Sequence, residues 1–385
     1  MSGDKLSIHE QTVDPQWPVD EKPAEAKPVI RPALDAGRRP ARARRALLFL
    51  GLASVAGVVV CLQFGAQPIT LADLGNTMRQ AITQDEWNIK TIGATGVILL
   101  HVRLPRVLLG FLVGASLAGV GVTLQALMRN PLADPYVLGV SSGAALGASL
   151  AVLLGLGTTI LALTALPLCG FVGGLISLAI IYGMAANRGQ VSVHSLLLAG
   201  VILNAIFSAL IMFVTSIMEP NRSFGMMAWL MGSLTANASP GLSVLALYLL
   251  GGLLLLLREA RRLNVIALGE EVAGTLGVPT KRLTRRLFVL TALVTGAVVS
   301  VSGMIGFVGM VVPHAVRLVA GGDNRLLLPA SMLTGGLFLV IADTIARTLL
   351  APTEMPVGIV TALAGGPMFI YLLMSWNRSS AWRWR

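Results

Sequence analysis

Charge is what this chain has least of: 12% of its 385 residues are Asp, Glu, Lys or Arg, and 55% are hydrophobic. About a quarter of a soluble domain is charged, so a soluble globule is excluded and a membrane protein is indicated. Cysteine is nearly missing, and Cys61 and Cys169 both fall inside apolar stretches. That excludes a disulfide framework and a cysteine metal centre; both read as small buried apolar residues. The four histidines, His9, His101, His194 and His314, are scattered, and His-Glu-x-x-His does not occur. No bound metal and no intramembrane enzyme are expected. There is no Gly-x-x-x-x-Gly-Lys-Ser/Thr loop, nor any Gly-Lys pair. If ATP drives this protein, another polypeptide must hydrolyse it. "GVSSG" at 139–143 matches a nucleophile pattern around Ser141 but opens a membrane span instead of following a strand, so no catalytic residue is assigned. Ionisable residues are also scarce within the apolar runs, Asp343 and Arg317 lying near their ends. Ion-coupled carriers place such groups inside their spans, so a secondary carrier is the weaker reading.

What the chain does have is long apolar runs. A hydrocarbon core of about 30 Å takes about 20 helical residues. About ten runs qualify: 46–66, 106–128, 137–155, 160–185, 195–217, 242–257, 287–301, 305–320, 326–342 and 358–376. The fold class is therefore an all-α polytopic membrane protein. Residues 1–45 alternate Pro15, Pro18, Pro23, Pro28, Pro32 and Pro40 with acids and bases, which reads as a disordered tail before a retained first span. The domain division is thus 1–45 as tail, 46–376 as transmembrane domain, and 377–385 as a second short tail.

The net charge of +11 raises nucleic acid as a partner, but the placement of the bases argues against it. Threading ten spans from an inside N-terminus puts Arg42, Arg44, Arg45, Arg129, Arg188, Arg258, Arg261, Arg262, Lys281, Arg282, Arg285, Arg286, Arg317 and Arg325 on one side. The other side receives only Arg79, Lys90, Arg103, Arg106, Arg222 and Arg347. This is the positive-inside asymmetry, so both termini are cytoplasmic in a bilayer protein without nucleic acid.

Four stretches stand out. "RNPLADPYVLGVSSG", 129–143, puts Pro131 and Pro135 between the second and third spans. A continuous helix is impossible there, and Asn130, Asp134 and Ser141 can satisfy the freed backbone groups, either as a tight turn or as an inner constriction. The cytoplasmic stretch 258–286 suggests two short helices hinged at Gly274 or Gly277, an exposed element shaped for docking on a cytoplasmic protein. Residues 216–241 are too broken to span, yet Met226, Met227, Trp229, Leu230 and Met231 are apolar. They read as a half-helix dipping into the bundle, either packed or lining a pathway. Arg103, Arg106 and Arg347 stand at outer span ends, as snorkelling anchors or as receptors for a partner's carboxylates.

Taken together, "RLPRVLLGFLVGASLAGVGVTLQALMRNPLADPYVLGVSSGAALGA", "SLLLAGVILNAIF", "WLMGSL", "LGEEVAGTLGV", "GMIGFVGMVVPHAVRL" and "ADTIARTLLAPTEMPVGIVTALAGGPMFIYLL" resemble the permease subunits of ATP-binding-cassette importers for iron-siderophore complexes, heme and cobalamin (type II importers). The resemblance runs from about Ala46 to Trp376. It implies ten helices per subunit in the inner (cytoplasmic) membrane and a homodimer with the pathway on its two-fold axis. It also implies two cytoplasmic ATPase subunits that carry the ATP, and usually a soluble periplasmic substrate-binding protein. Residue by residue, Leu268, Gly269, Glu270, Glu271, Ala273, Leu276 and Gly277 match coupling helices that sit on the ATPase. Arg103, Arg106 and Arg347 match positions that dock the binding protein. Asn130 and Leu132, with Val193 and His194, match the cytoplasmic gate, although small polar residues are more usual than Val193 and His194. Met226, Trp229 and Met231 are expected along the pathway. The implied function is import of heme, with a ferric siderophore or cobalamin as alternatives. An ion-coupled carrier, or a membrane scaffold or sensor without transport, remains a rival of another class.

Overall fold

The computed structural model of the chain describes residues 39–65, 67–83, 93–156, 162–187, 190–191, 193–234 and 240–376. The expected tails at 1–38 and 377–385 lie outside the described residues. The chain divides into two units, Met1–Arg45 and Ala46–Arg385. Of the first, the described part is helical: α1, Arg39–Gln63, starts before the end of the expected disordered tail.

The second unit is a helical bundle. Its helices are α2 (Leu71–Thr83), α3 (Gly93–Val97), α4 (Leu104–Met128), α5 (Val140–Leu153), α6 (Ala162–Ala185), α7 (Val193–Ser216), α8 (Pro220–Leu230) and α9 (Pro240–Arg258). They continue as α10 (Ala260–Ala267), α11 (Glu270–Thr275), α12 (Thr280–Ser302), α13 (Val308–Ala320), α14 (Asn324–Thr348) and α15 (Val357–Trp376). A two-residue antiparallel ladder, Ala186–Asn187 with Gln190–Val191, follows α6.

Six helices among the described residues are long and apolar enough to cross a membrane: Ala43–Gln63, Gly93–Met128, Leu166–Met184, Ser195–Ser216, Thr280–Ser302 and Asn324–Thr348. Leu242–Arg258 joins Ala260–Ala267 at a bend of 52°, and Val140–Leu153, Val308–Ala320 and Val357–Tyr371 are shorter apolar helices. Each of the ten expected spans falls on one of these helices. The second is longer than expected, because α3 and a π-helical segment, Ile98–Arg103, run without a break into α4. The resulting 36-residue helix is about 54 Å long, well beyond the hydrocarbon core.

α4 is apolar all round, as befits a helix enclosed by others. Its stretch is 83% buried, against 17% for α1. It packs against α14, α13, α12, α9 and α10, at the centre of the main apolar core. Small residues permit that approach: a β-carbon on Gly121 would fall on the Gly309 carbonyl oxygen, and one on Gly114 on that of Gly335.

Outside the core, α2 opens with a capping box: Thr70 N–H and Oγ1 donate to Asp73 at 3.0 and 2.6 Å, and Asp73 N–H donates back to Thr70 Oγ1. The Thr70 hydrogen bonds hold the Asp73 carboxyl below its ordinary range.

Candidate functional site

The C-terminal end of α4 is closed by Arg129, which adopts a left-handed backbone with φ 48°. A proline-rich break follows, with its own supply of hydrogen bonds. Asn130 Oδ1 accepts from Leu132 N–H at 2.9 Å, and Asp134 Oδ1 from Tyr136 N–H at 2.8 Å. Tyr136 turns its hydroxyl oxygen to Ile305 N–H at 2.6 Å, bridging to a second break, between α12 and α13. Gly139 has φ 72°, and its carbonyl accepts from the Ser142 and Ser177 hydroxyls at 2.9 and 2.8 Å. The expectation for Ser141 is corrected here: its hydroxyl is buried without a hydrogen-bond partner, and its neighbour Ser142 serves the break. The reason is helical geometry: Ser142 lies three residues beyond the Gly139 carbonyl, so its hydroxyl can fold back onto it. Ser141 sits in the first turn of α5 after a 3-10 turn, Pro135–Leu138, with no strand before it, so the nucleophile pattern is a coincidence.

Asn130 is exposed and Leu132 half-buried. Val193 and His194 stand at the start of α7, and their side chains lie outside what is described.

The stretch 258–286 forms an arm. α10 buries Ala260, Leu263 and Ile266 and packs against α4 and α14. Asn264 fastens it: its amide donates to Asp323 Oδ1 at 2.7 Å, and its carbonyl oxygen accepts from Asn324 N–H at 2.8 Å, at the start of α14. The hinge between the two short helices is Gly269, φ 116°, and not Gly274 or Gly277 as expected. Gly274 sits inside α11, while Gly277, φ 79°, follows it. Only glycine takes φ near 116° without strain, which puts the hinge at Gly269.

α11 buries Ala273 and leaves Glu270, Glu271, Leu268, Val272 and Leu276 exposed. Arg129, from the end of α4, lies beside the hinge: a β-carbon at Gly269 would stand 3.5 Å from its Nη1. Arg129 thus lies close to both the arm and the break that begins at Asn130, a proximity invisible in the sequence.

At the opposite end of the bundle the three arginines have been given different tasks. Arg103 donates to the carbonyls of Leu62 at 2.9 Å, Gln63 at 3.1 Å and Gln67, and Arg347 donates to Cys61 at 2.9 Å. Both are buried, their cationic ends held on the carbonyls that α1 leaves unpaired at its C-terminus. The expectation that Arg103 and Arg347 receive a partner's carboxylates is therefore corrected, since both guanidinium groups are buried on backbone carbonyls. Arg106 alone reaches the surface. Its Nε and Nη2 grip Asp343 at 2.9–3.2 Å, and its Nη1 donates to Glu354 at 2.9 Å. Asp343 also faces Arg347 Nε at 3.7 Å. Neither carboxylate could have been assigned to Arg106 by spacing, because they lie 237 and 248 residues away.

α8 is the expected short helix, ended by the close approach of two glycines. A β-carbon at Gly303 would meet the Trp229 carbonyl, and one at Gly358 the Met231 carbonyl. Met226 packs in a small cluster with Ala148, Val214 and Met218, because its side of α8 faces α5 and α7. It does not line an open surface, whereas Met231 is exposed and Trp229 half-buried.

This arrangement has counterparts among known proteins. Residues 52–375 match the FecCD transport family. A hemin transport system permease protein of Yersinia pestis is 43% identical over 289 residues, 75% of this chain and 86% of that protein. A cobalamin import system permease protein of Halobacterium salinarum is 46% identical over 280 residues, 72% of this chain and 73% of that protein. Among solved structures, a metal-chelate type ABC transporter in an inward-facing conformation superposes with a TM-score of 0.75 at 31% identity, covering 86% of this chain and 99% of that one. With its multi-pass helical bundle and its match over 52–375, the chain belongs to the FecCD transport family of ABC importer permeases, proteins of the inner membrane.

Proposed function

We propose that this chain is the pathway-forming subunit of an ATP-driven importer, working as a homodimer with two cytoplasmic ATPase subunits and an outer binding protein, and that its cargo is heme. The observation that carries the reading is the α10–α11 arm. It is exposed, apolar and acidic on its free side, bolted to α14 through Asn264, and its hinge lies near Arg129 beside the broken segment. An ATPase docked on the exposed Leu268, Glu270, Glu271, Leu276 and Gly277, with Gly269 and Ala273 buried behind that face and not part of the contact, pulls on that hinge when it closes on ATP. Arg129 passes the movement to Asn130 and Leu132, which with Val193 and His194 form the inner gate. Trp229 and Met231 stand along the pathway, and Arg106 receives the binding protein.

Heme is favoured by the hemin permease relative; the cobalamin relative makes cobalamin the first alternative, ahead of a ferric siderophore. The chain carries no phosphate-binding loop, so ATP is bound and hydrolysed on the partner. The test is ATP-dependent accumulation of heme, cobalamin and a ferric siderophore in vesicles holding the chain with its ATPase and binding protein. Heme accumulating alone supports the assignment. Another ligand accumulating instead overturns the cargo and keeps the class, and no accumulation of any overturns both.

A further inference from the structure

Both edges of the outer Arg106 guanidinium already meet a carboxylate of this chain. A guanidinium offers five N–H donors, and the Nε/Nη2 edge of Arg106 is committed to Asp343 while Nη1 is committed to Glu354. The two carboxylates differ in how firmly they are held. The Asp343 side chain is 3% exposed and pinned between Arg106 and Arg347. The Glu354 side chain is 53% exposed and lies on Arg106, whose own side chain stays 13% open to water beside it. Removing Asp343 would strand two buried cations; moving Glu354 aside only returns an exposed carboxylate to water.

We infer that Glu354 is an internal stand-in for a partner's carboxylate: an acidic side chain of the outer binding protein docks by replacing Glu354 on Arg106 Nη1. This rests on the docking reading given above. The exchange swaps one carboxylate for another, so Arg106 Nη1 has a carboxylate partner in both states. It also makes the site selective, since a neutral surface cannot compensate the lost Glu354 pair. An exposed ion pair is worth up to about five-fold in an equilibrium constant, which sets how far Glu354 weakens docking.

The experiment titrates the fluorophore-labelled binding protein of the same transport system onto the permease–ATPase complex in nanodiscs. Glu354→Gln should tighten docking by about two- to five-fold. Arg106→Lys keeps a charge beside Asp343 but loses the second planar edge, so it should weaken docking, and Glu354→Gln added to it should then have no effect. Unchanged or weaker docking by Glu354→Gln, with Arg106→Lys still weakened, overturns the exchange and leaves the docking reading standing. Docking indifferent to both substitutions, in variants that elute and unfold like the parent, overturns the docking reading and the exchange with it.

Discussion

Replacing Leu268 and Leu276 with alanine should detach the ATPase while leaving the permease folded. These side chains flank α11 and are 63% and 61% exposed, so the permease itself gains little from them. Fully burying a leucine is worth about 1.5–3 kcal/mol. A partner that covers what remains exposed gains roughly two-thirds of that, and alanine keeps part of it, leaving a loss of about 1 kcal/mol per site. The double variant should then bind the ATPase about 30-fold more weakly. Its own stability should change by no more than about 0.5 kcal/mol, as expected of surface positions. Affinity is measured by titrating purified ATPase onto nanodisc-held permease, and stability by thermal unfolding of the same preparations. Parental affinity in a folded double variant would refute the arm as the docking element. Glu270→Arg adds an independent check, since charge reversal on the same face should also weaken the complex.

Other perturbations test the rest of the structure. Asp343→Ala leaves Arg106 and Arg347 facing each other without their shared carboxylate, and should cost about 3–5 kcal/mol in thermal unfolding, more than Asp343→Asn. Gly121→Ala forces α4 away from the Gly309 carbonyl and should cost about 1–3 kcal/mol, whereas Gly183→Ala, on an open face of α6, should be neutral or stabilising. Asn264→Ala removes both ties between the arm and the start of α14. It should speed hydrogen exchange in α10 and lower stimulation of the ATPase by the binding protein, while ATPase binding is kept.

The spans were legible because a bilayer imposes a length and a composition, and each run of apolar residues carries both within itself. The inner break was legible for a similar local reason: proline cannot continue a helix, wherever the segment lies. What the break does with its hydrogen bonds was only half legible. Asn130 and Asp134 bond two residues along the chain, whereas Tyr136 and Ser177 find partners 169 and 38 residues away. The arm was visible as an exposed, mixed stretch, but the two glycines read as its hinge, Gly274 and Gly277, lie within and after α11, and only the helix boundaries put Gly269 between α10 and α11. The arginines misled most. A cation at a span end reads as surface, and nothing local says that the end of α1 needs donors for its carbonyls. Met226 misled for the matching reason, since an apolar side chain on a short helix shows neither which face is packed nor which is free.

The central claim is that ATP hydrolysed on a partner drives movement through this chain. Its most direct measurement uses sealed vesicles containing the permease, its ATPase and its binding protein, with heme outside and ATP trapped on the ATPase side. A partner-driven importer accumulates heme only with ATP, and accumulation survives collapse of the ion gradients by an ionophore. Accumulation that persists without ATP and stops when the gradients collapse would contradict it.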